Sequence, residues 1–224
     1  MDEGRTPASP AATTPPDFDA PFRRELEALV RWRRDVRRFR TEALPDGLVE
    51  RLLALAALSP SVGNSQPWRF VLVEDAQRRA AVRADFEAAN ADALADYDGK
   101  QADLYASLKL AGLDDAPVQM AVFCDMATEV GHGVGKKTMP ETLAYSVVGA
   151  VQTLWLAARA EGIGLGWVSI IGPDEVTRIL DVPDSWKLIA YLCIGYPVEE
   201  HEDPELERVG WQARLDISEF IHRR

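Results

Sequence analysis

Residues 142–158 form the longest apolar stretch free of charge, and no other feature constrains the fold as tightly. Leu143, Val147, Val148, Val151, Leu154 and Trp155 cover much of a helix circumference, so this helix must be buried on several sides. It falls short of the ~20 apolar residues that cross a bilayer, and Ser146, Gln152 and Thr153 interrupt it. The expectation is the central helix of a water-soluble, layered protein, one that also contributes to an obligate homodimer. With 224 residues, 47% of them hydrophobic, the chain can bury one large core.

Around that helix, helical and extended patterns interleave. Residues 1–18 are rich in Pro, Ala and Thr and are expected to form a disordered arm, leaving residues 19–224 as the folded domain. Helices are predicted over residues 22–32, from Pro45 at a first helical position, over 75–95, over 141–160 up to Gly162 and Gly164, and over 173–180. Strands are predicted over 68–73, 117–124, 165–171 and 186–194, with a glycine-rich loop at 131–140. The class is α+β, a three-layer arrangement with helices covering a central sheet.

Charge locates the chemistry. The chain carries −11, which excludes a basic nucleic-acid surface. Yet residues 31–40 hold six arginines and one aspartate, a local +5. Arginine offers fixed charge and a planar fork of donors suited to phosphate. Trp32, Val36 and Phe39 anchor the segment to the core, which favours an anion site over a free basic tail. A solvated face with internal ion pairs is the alternative. Asp35, inside the cluster, is either a counter-ion or an acid/base group.

Several familiar chemistries drop out. The glycines at 162–166 fit GxGxG, but a helix precedes and a strand follows, the reverse of a dinucleotide fingerprint. Residues 131–138 fail the P-loop spacing. The three histidines have no ligand-spaced partners, so no metal is expected, and no GxSxG elbow supports a hydrolase. Cys124 and Cys193 lie in apolar runs, and the first residues lack the features of a signal peptide, so a reducing cytoplasm is expected.

Four segments together resemble the flavin-dependent nitroreductase superfamily: RRDVRRF at 33–39, SPSVGNSQPWRF at 59–70, APV at 116–118 and GLGWVSI at 164–170. Asp35, where ordinary members tend to have serine, and residues 137–170 and 208–216 narrow the resemblance to a branch that consumes its flavin. The resemblance implies a nitroreductase-like fold with a mixed central sheet, an intertwined homodimer and FMN at the subunit interface. It implies that reduced FMN, supplied by a separate flavin reductase, is fragmented with dioxygen to dimethylbenzimidazole, the vitamin B12 lower ligand, and erythrose 4-phosphate. It assigns the flavin phosphate and ribityl chain to Arg33, Arg34, Asp35, Val36 and Arg37, with Arg208 as a further phosphate contact. Ser61, Gly63 and Asn64 would touch the flavin from a loop, Ser169 would sit over the ring, and Ile171 and Gly172 would meet its N5 edge. Asp35 and Ser169 would be catalytic, and residues 131–139 would form a water-excluding lid. An NAD(P)H-dependent nitroreductase or flavin reductase, a reductase of the corrin cobalt acting on cob(II)yrinic acid a,c-diamide, and a non-catalytic flavin binder remain as alternatives.

Overall fold

The computed structural model describes residues 14–107 and 111–224. Most of the expected arm, residues 1–13, lies outside the described residues, and 14–18 are exposed without regular structure. The elements are α1 (Ala20–Trp32), α2 (Leu48–Ala56), β1 (Trp68–Leu72), α3 (Ala76–Leu94), α4 (Gly99–Ser107), α5 (Gly112–Asp115), β2 (Val118–Asp125), α6 (Thr142–Ala160), β3 (Gly164–Val168), α7 (Pro173–Leu180), β4 (Trp186–Gly195) and α8 (Glu205–Arg208).

The strands form one sheet in the order β1-β2-β4-β3, and every pairing among them is antiparallel. The expected mixed character is confined to a single parallel bridge, Asp35 to Leu165, made by a segment outside the four strands. Side chains alternate across the sheet. Met120, Val122 and Cys124 of β2 join Leu52 of α2 and Val147, Val151 and Leu154 of α6 in one core. Ala121 and Phe123 face the other way, into a second core with Val82 of α3 and Val176 and Leu180 of α7. This is the three-layer arrangement, and it explains why β2 is apolar without a break from Met120 to Cys124 instead of alternating.

Helix α6 buries eight side chains and ends in a Schellman motif. Ile163 N–H donates to Ala158 O at 2.9 Å, and Gly162 takes the positive φ of +74° that the turn requires. Two boundaries differ from expectation. Pro45 does not open α2: Gly47, at φ +74°, turns the chain first, and the helix begins at Leu48. Strand β3 stops at Val168 instead of 171, because residues 169–172 turn away to start α7.

Candidate active site

Strand β3 is an edge strand, and the arginine segment docks along its free edge. Val36 N–H donates to Leu165 O at 2.9 Å, and Trp167 N–H donates to Asp35 Oδ1 at 2.9 Å. Farther along, Arg40 N–H donates to Tyr196 O at 2.8 Å and Val198 N–H to Arg38 O at 3.1 Å. The approach is so close that side chains are excluded at Gly164 and Gly166. A Cβ on Gly166 would lie 2.1 Å from Val36 O, and one on Gly164 would lie 2.7 Å from Val36 Cγ2. These glycines serve a backbone crossing, which accounts for a GxGxG pattern in the wrong structural context. Trp155 of α6 pins the segment from below: its Nε1–H donates to Arg34 O at 3.2 Å, and Arg33 lies over its ring at 4.8 Å.

The six arginines separate into two sets. Arg31 pairs with Glu27 and Glu202, Arg38 with Glu199 and Glu205, and Arg40 with Glu42. The Arg40 contact is long, 3.7 Å, but its guanidinium also lies 4.8 Å over the Tyr196 ring, so all three are held by the protein itself. Arg37 has one long contact, 3.6 Å to Glu205. Arg33 and Arg34 have no carboxylate within ion-pair distance among the described residues, and desolvation lowers both pKa values. Arg34 Nε is buried with no acceptor. A buried guanidinium N–H without a partner is costly unless an acceptor is supplied. The structure therefore offers an anion site at Arg33, Arg34 and Arg37, which fits a phosphate ester.

Asp35 is hemmed in by protein atoms while still reaching solvent. That crowding pushes its pKa above the usual carboxylate range, against the Trp167 N–H and the charges of Arg37 and Arg33, which pull it down. A carboxyl raised in this way holds a proton more readily than a free carboxylate, which suits an acid/base group. Two residues beyond Trp167, Ser169 is exposed at the end of the same edge. Ile171 is buried, and the Gly172 N–H is already engaged by Asp85 Oδ2 at 2.7 Å. Arg208 of α8 lines the same cleft as Arg33, Arg34 and Arg37, tied to Asp203 at 2.9 Å.

The loop containing Ser61, Gly63 and Asn64 lies elsewhere. Val62 N–H donates to Ser146 Oγ of α6 at 3.0 Å, and Ser59 Oγ shares a 2.7 Å hydrogen bond with Thr153 Oγ1. Two of the polar interruptions of the apolar helix, Ser146 and Thr153, are thus anchors for this loop. Ser61 Oγ accepts from Gln66 N–H at 3.0 Å. The glycine-rich segment rests on the loop: a Cβ on Gly131 would lie 2.5 Å from Gly63 O. Ser146 and Trp155 are nine residues apart on α6, hence on opposite faces of the helix and ~13 Å apart along its axis. One protomer therefore brings Arg33, Arg34, Asp35, Val36, Arg37 and Arg208 to the cleft beside Trp155 and holds Ser61, Gly63 and Asn64 on the Ser146 side of α6, while Ser169, Ile171 and Gly172 follow the end of β3, with Ile171 in the second core. Sequence reasoning missed Trp155, Ser146 and Asp85 as supports of this site. The hydroxyls breaking an apolar run were the available signal for Ser146, whereas nothing local marked Asp85.

A helix-covered antiparallel sheet with an arginine segment on its edge defines a class. The chain belongs to the nitroreductase family, whose model matches residues 30–196. It is 59% identical over 201 residues to 5,6-dimethylbenzimidazole synthase of Rhodospirillum rubrum, covering 90% of this chain and 95% of that protein. Against the 5,6-dimethylbenzimidazole synthase of Rhodobacter capsulatus the identity is 47% over 199 residues, covering 89% and 96%. Among solved structures, an iodotyrosine deiodinase bound to FMN and 3-iodo-L-tyrosine superposes with a TM-score of 0.69 at 25% identity, covering 88% of this chain and 97% of that one. Among the described residues, no helix is long and apolar enough to cross a membrane.

Proposed function

We propose that the chain makes 5,6-dimethylbenzimidazole from reduced FMN and dioxygen, with erythrose 4-phosphate as the second product. The observation that carries this reading is 59% identity to a curated synthase across nearly the full length of both chains. When bound, reduced FMN supplies the electrons and the ring system that becomes the product, and a separate flavin reductase restores it. Arg33, Arg34 and Arg37 hold the phosphate, and Arg208 adds to that charge. Asp35, with Val36 beside it, faces the ribityl chain and moves protons during fragmentation. Ser169 sits over the ring, Ile171 and Gly172 border its edge, and residues 131–139 exclude water. The two buried, unpaired thiols suit a reducing cytoplasm. Adding NADH or NADPH anaerobically separates this reading from an ordinary nitroreductase: the bound flavin should keep its colour here and bleach in a nitroreductase.

In this reading Ser61, Gly63 and Asn64, held on the opposite face of α6 from the arginine segment, reach the flavin from a second copy. Helix α1 is strongly amphipathic yet buries no residue, and its Phe22, Leu26 and Val30 form an exposed stripe. Leu215, Ile217, Phe220 and Ile221 are exposed at the other terminus. Apolar surfaces of this kind mark interfaces, and an intertwined homodimer would cover them. Light scattering at micromolar concentration should give the mass of a dimer. A monomer that retains tight FMN binding would contradict the divided site.

Arg33→Ala should weaken FMN by ~1.5–3 kcal/mol, the worth of a charge-assisted contact, and leave riboflavin almost unaffected. Fluorescence titration of both ligands measures the difference. Equal weakening of the two would place Arg33 away from the phosphate.

A further inference from the structure

Helix α7 begins at Gly172–Pro173 and has no capping side chain of its own. The missing carboxylate comes from α3, 87 residues away in sequence, where Asp85 Oδ2 accepts the Gly172 N–H at 2.7 Å. A Cβ on Gly172 would lie 3.3 Å from Asp85 Oδ1, so the carboxylate sits directly on bare backbone. The arginines of α3 do not compete for it. Arg78 donates to Leu180 O, Arg79 donates to Val73 O and Pro117 O, and Arg83 pairs with Glu87 and Asp114. Among the described residues, Asp85 is in none of the ion pairs, and its carboxylate is spent on one backbone donor of the turn that follows β3.

We propose that Asp85 is a positioning residue for the reaction: it fixes residues 169–172 where Ser169 and the adjoining backbone meet the flavin ring. This rests on the assignment of that turn to the flavin edge. Strand β3 ends at Val168, and the next regular structure begins at Pro173. The four residues between them are the ones proposed to border the ring, and the bond to Asp85 reaches that turn from another helix. A fixed acceptor from a separate layer sets the turn's distance from the arginine edge, where Asp35 and Val36 are bonded to the same strand. Loosening it would leave the phosphate contacts intact and misalign the ring.

The test compares Asp85→Ala and Asp85→Ser, which withdraw the acceptor, with Asp85→Asn, which keeps an oxygen in its place. FMN affinity should stay within about threefold of wild type in all three, since the arginines are untouched. The visible absorption bands of bound oxidised FMN should shift in Ala and Ser and match wild type in Asn. Benzimidazole formed per reduced FMN oxidised should fall on the order of tenfold to a hundredfold in Ala and Ser, and recover in Asn. If the folded Ala or Ser variant keeps both the wild-type spectrum and the wild-type yield, Asp85 has only a structural role and the proposal falls. It falls equally if Asn is as impaired as Ala. If wild type itself forms no benzimidazole, the functional reading fails, and the spectra still decide the role of Asp85.

Discussion

Asp35→Asn should bind FMN as tightly as wild type, or slightly more tightly, and lose benzimidazole formation by ~10²–10⁴-fold, the usual loss when a general acid or base is removed. Asparagine keeps the shape and an oxygen for the Trp167 N–H, which Asp35 Oδ1 meets at 2.9 Å. It removes the negative charge next to Arg33 and Arg37, and with it a repulsion toward a phosphate ester. Reduced FMN should still be reoxidised by air in the variant, without ring fragmentation. The wild-type pH–rate profile should carry a limb set by a carboxyl titrating above the usual range, since the protein atoms crowding Asp35 desolvate it and raise its pKa. That limb should vanish in the variant. Loss of FMN binding or of folding would instead make Asp35 a counter-ion of the segment. Near-normal product formation would move the proton chemistry to Ser169.

Gly166→Ala should be the most damaging glycine-to-alanine change among the described residues. The added Cβ would lie 2.1 Å from Val36 O, and a backbone carbonyl cannot yield as a flexible side chain can. Either β3 or the arginine segment must shift. The shift breaks the bonds from Val36 N–H to Leu165 O and from Trp167 N–H to Asp35, which together set where Arg33, Arg34 and Arg37 sit. Overpacking of this kind costs ~1–3 kcal/mol or more in stability. Losing two phosphate contacts at ~1.5–3 kcal/mol each should weaken FMN by at least ~10²-fold. Thermal unfolding and an FMN titration measure the two effects. A variant with wild-type melting and wild-type FMN affinity would show that the segment does not depend on the glycine crossing.

Much of this architecture is legible in the residues. The apolar α6, the buried strands β2 and β4 and the proline start of α7 follow from local pattern, because burial on defined faces writes periodicity into the chain. The arginine segment is equally plain, since six like charges in ten residues of an acidic protein need a reason. Local pattern cannot show how that charge is divided. Arg38 and Arg31 are neutralised by glutamates of the 199–205 segment, more than 160 residues away, while Arg33 and Arg34 have no carboxylate within ion-pair distance among the described residues. The four-residue helices α5 and α8 are too brief for periodicity to stand out, and α4 (GKQADLYAS) offers only Leu104 and Tyr105 as large apolar residues. The glycines of β3 carry no local turn signal, because their reason is a backbone from elsewhere in the chain. The separation of Ser61, Gly63 and Asn64 from Asp35 is likewise invisible until α6 is seen to stand between them.

The most direct measurement is a single turnover. The protein is mixed anaerobically with a stoichiometric amount of reduced FMN, air is admitted, and the products are identified by mass spectrometry. The account predicts 5,6-dimethylbenzimidazole and erythrose 4-phosphate in amounts approaching the FMN consumed, with no metal added. Full recovery of intact, oxidised FMN without any benzimidazole would contradict it and leave a flavin binder or a reductase.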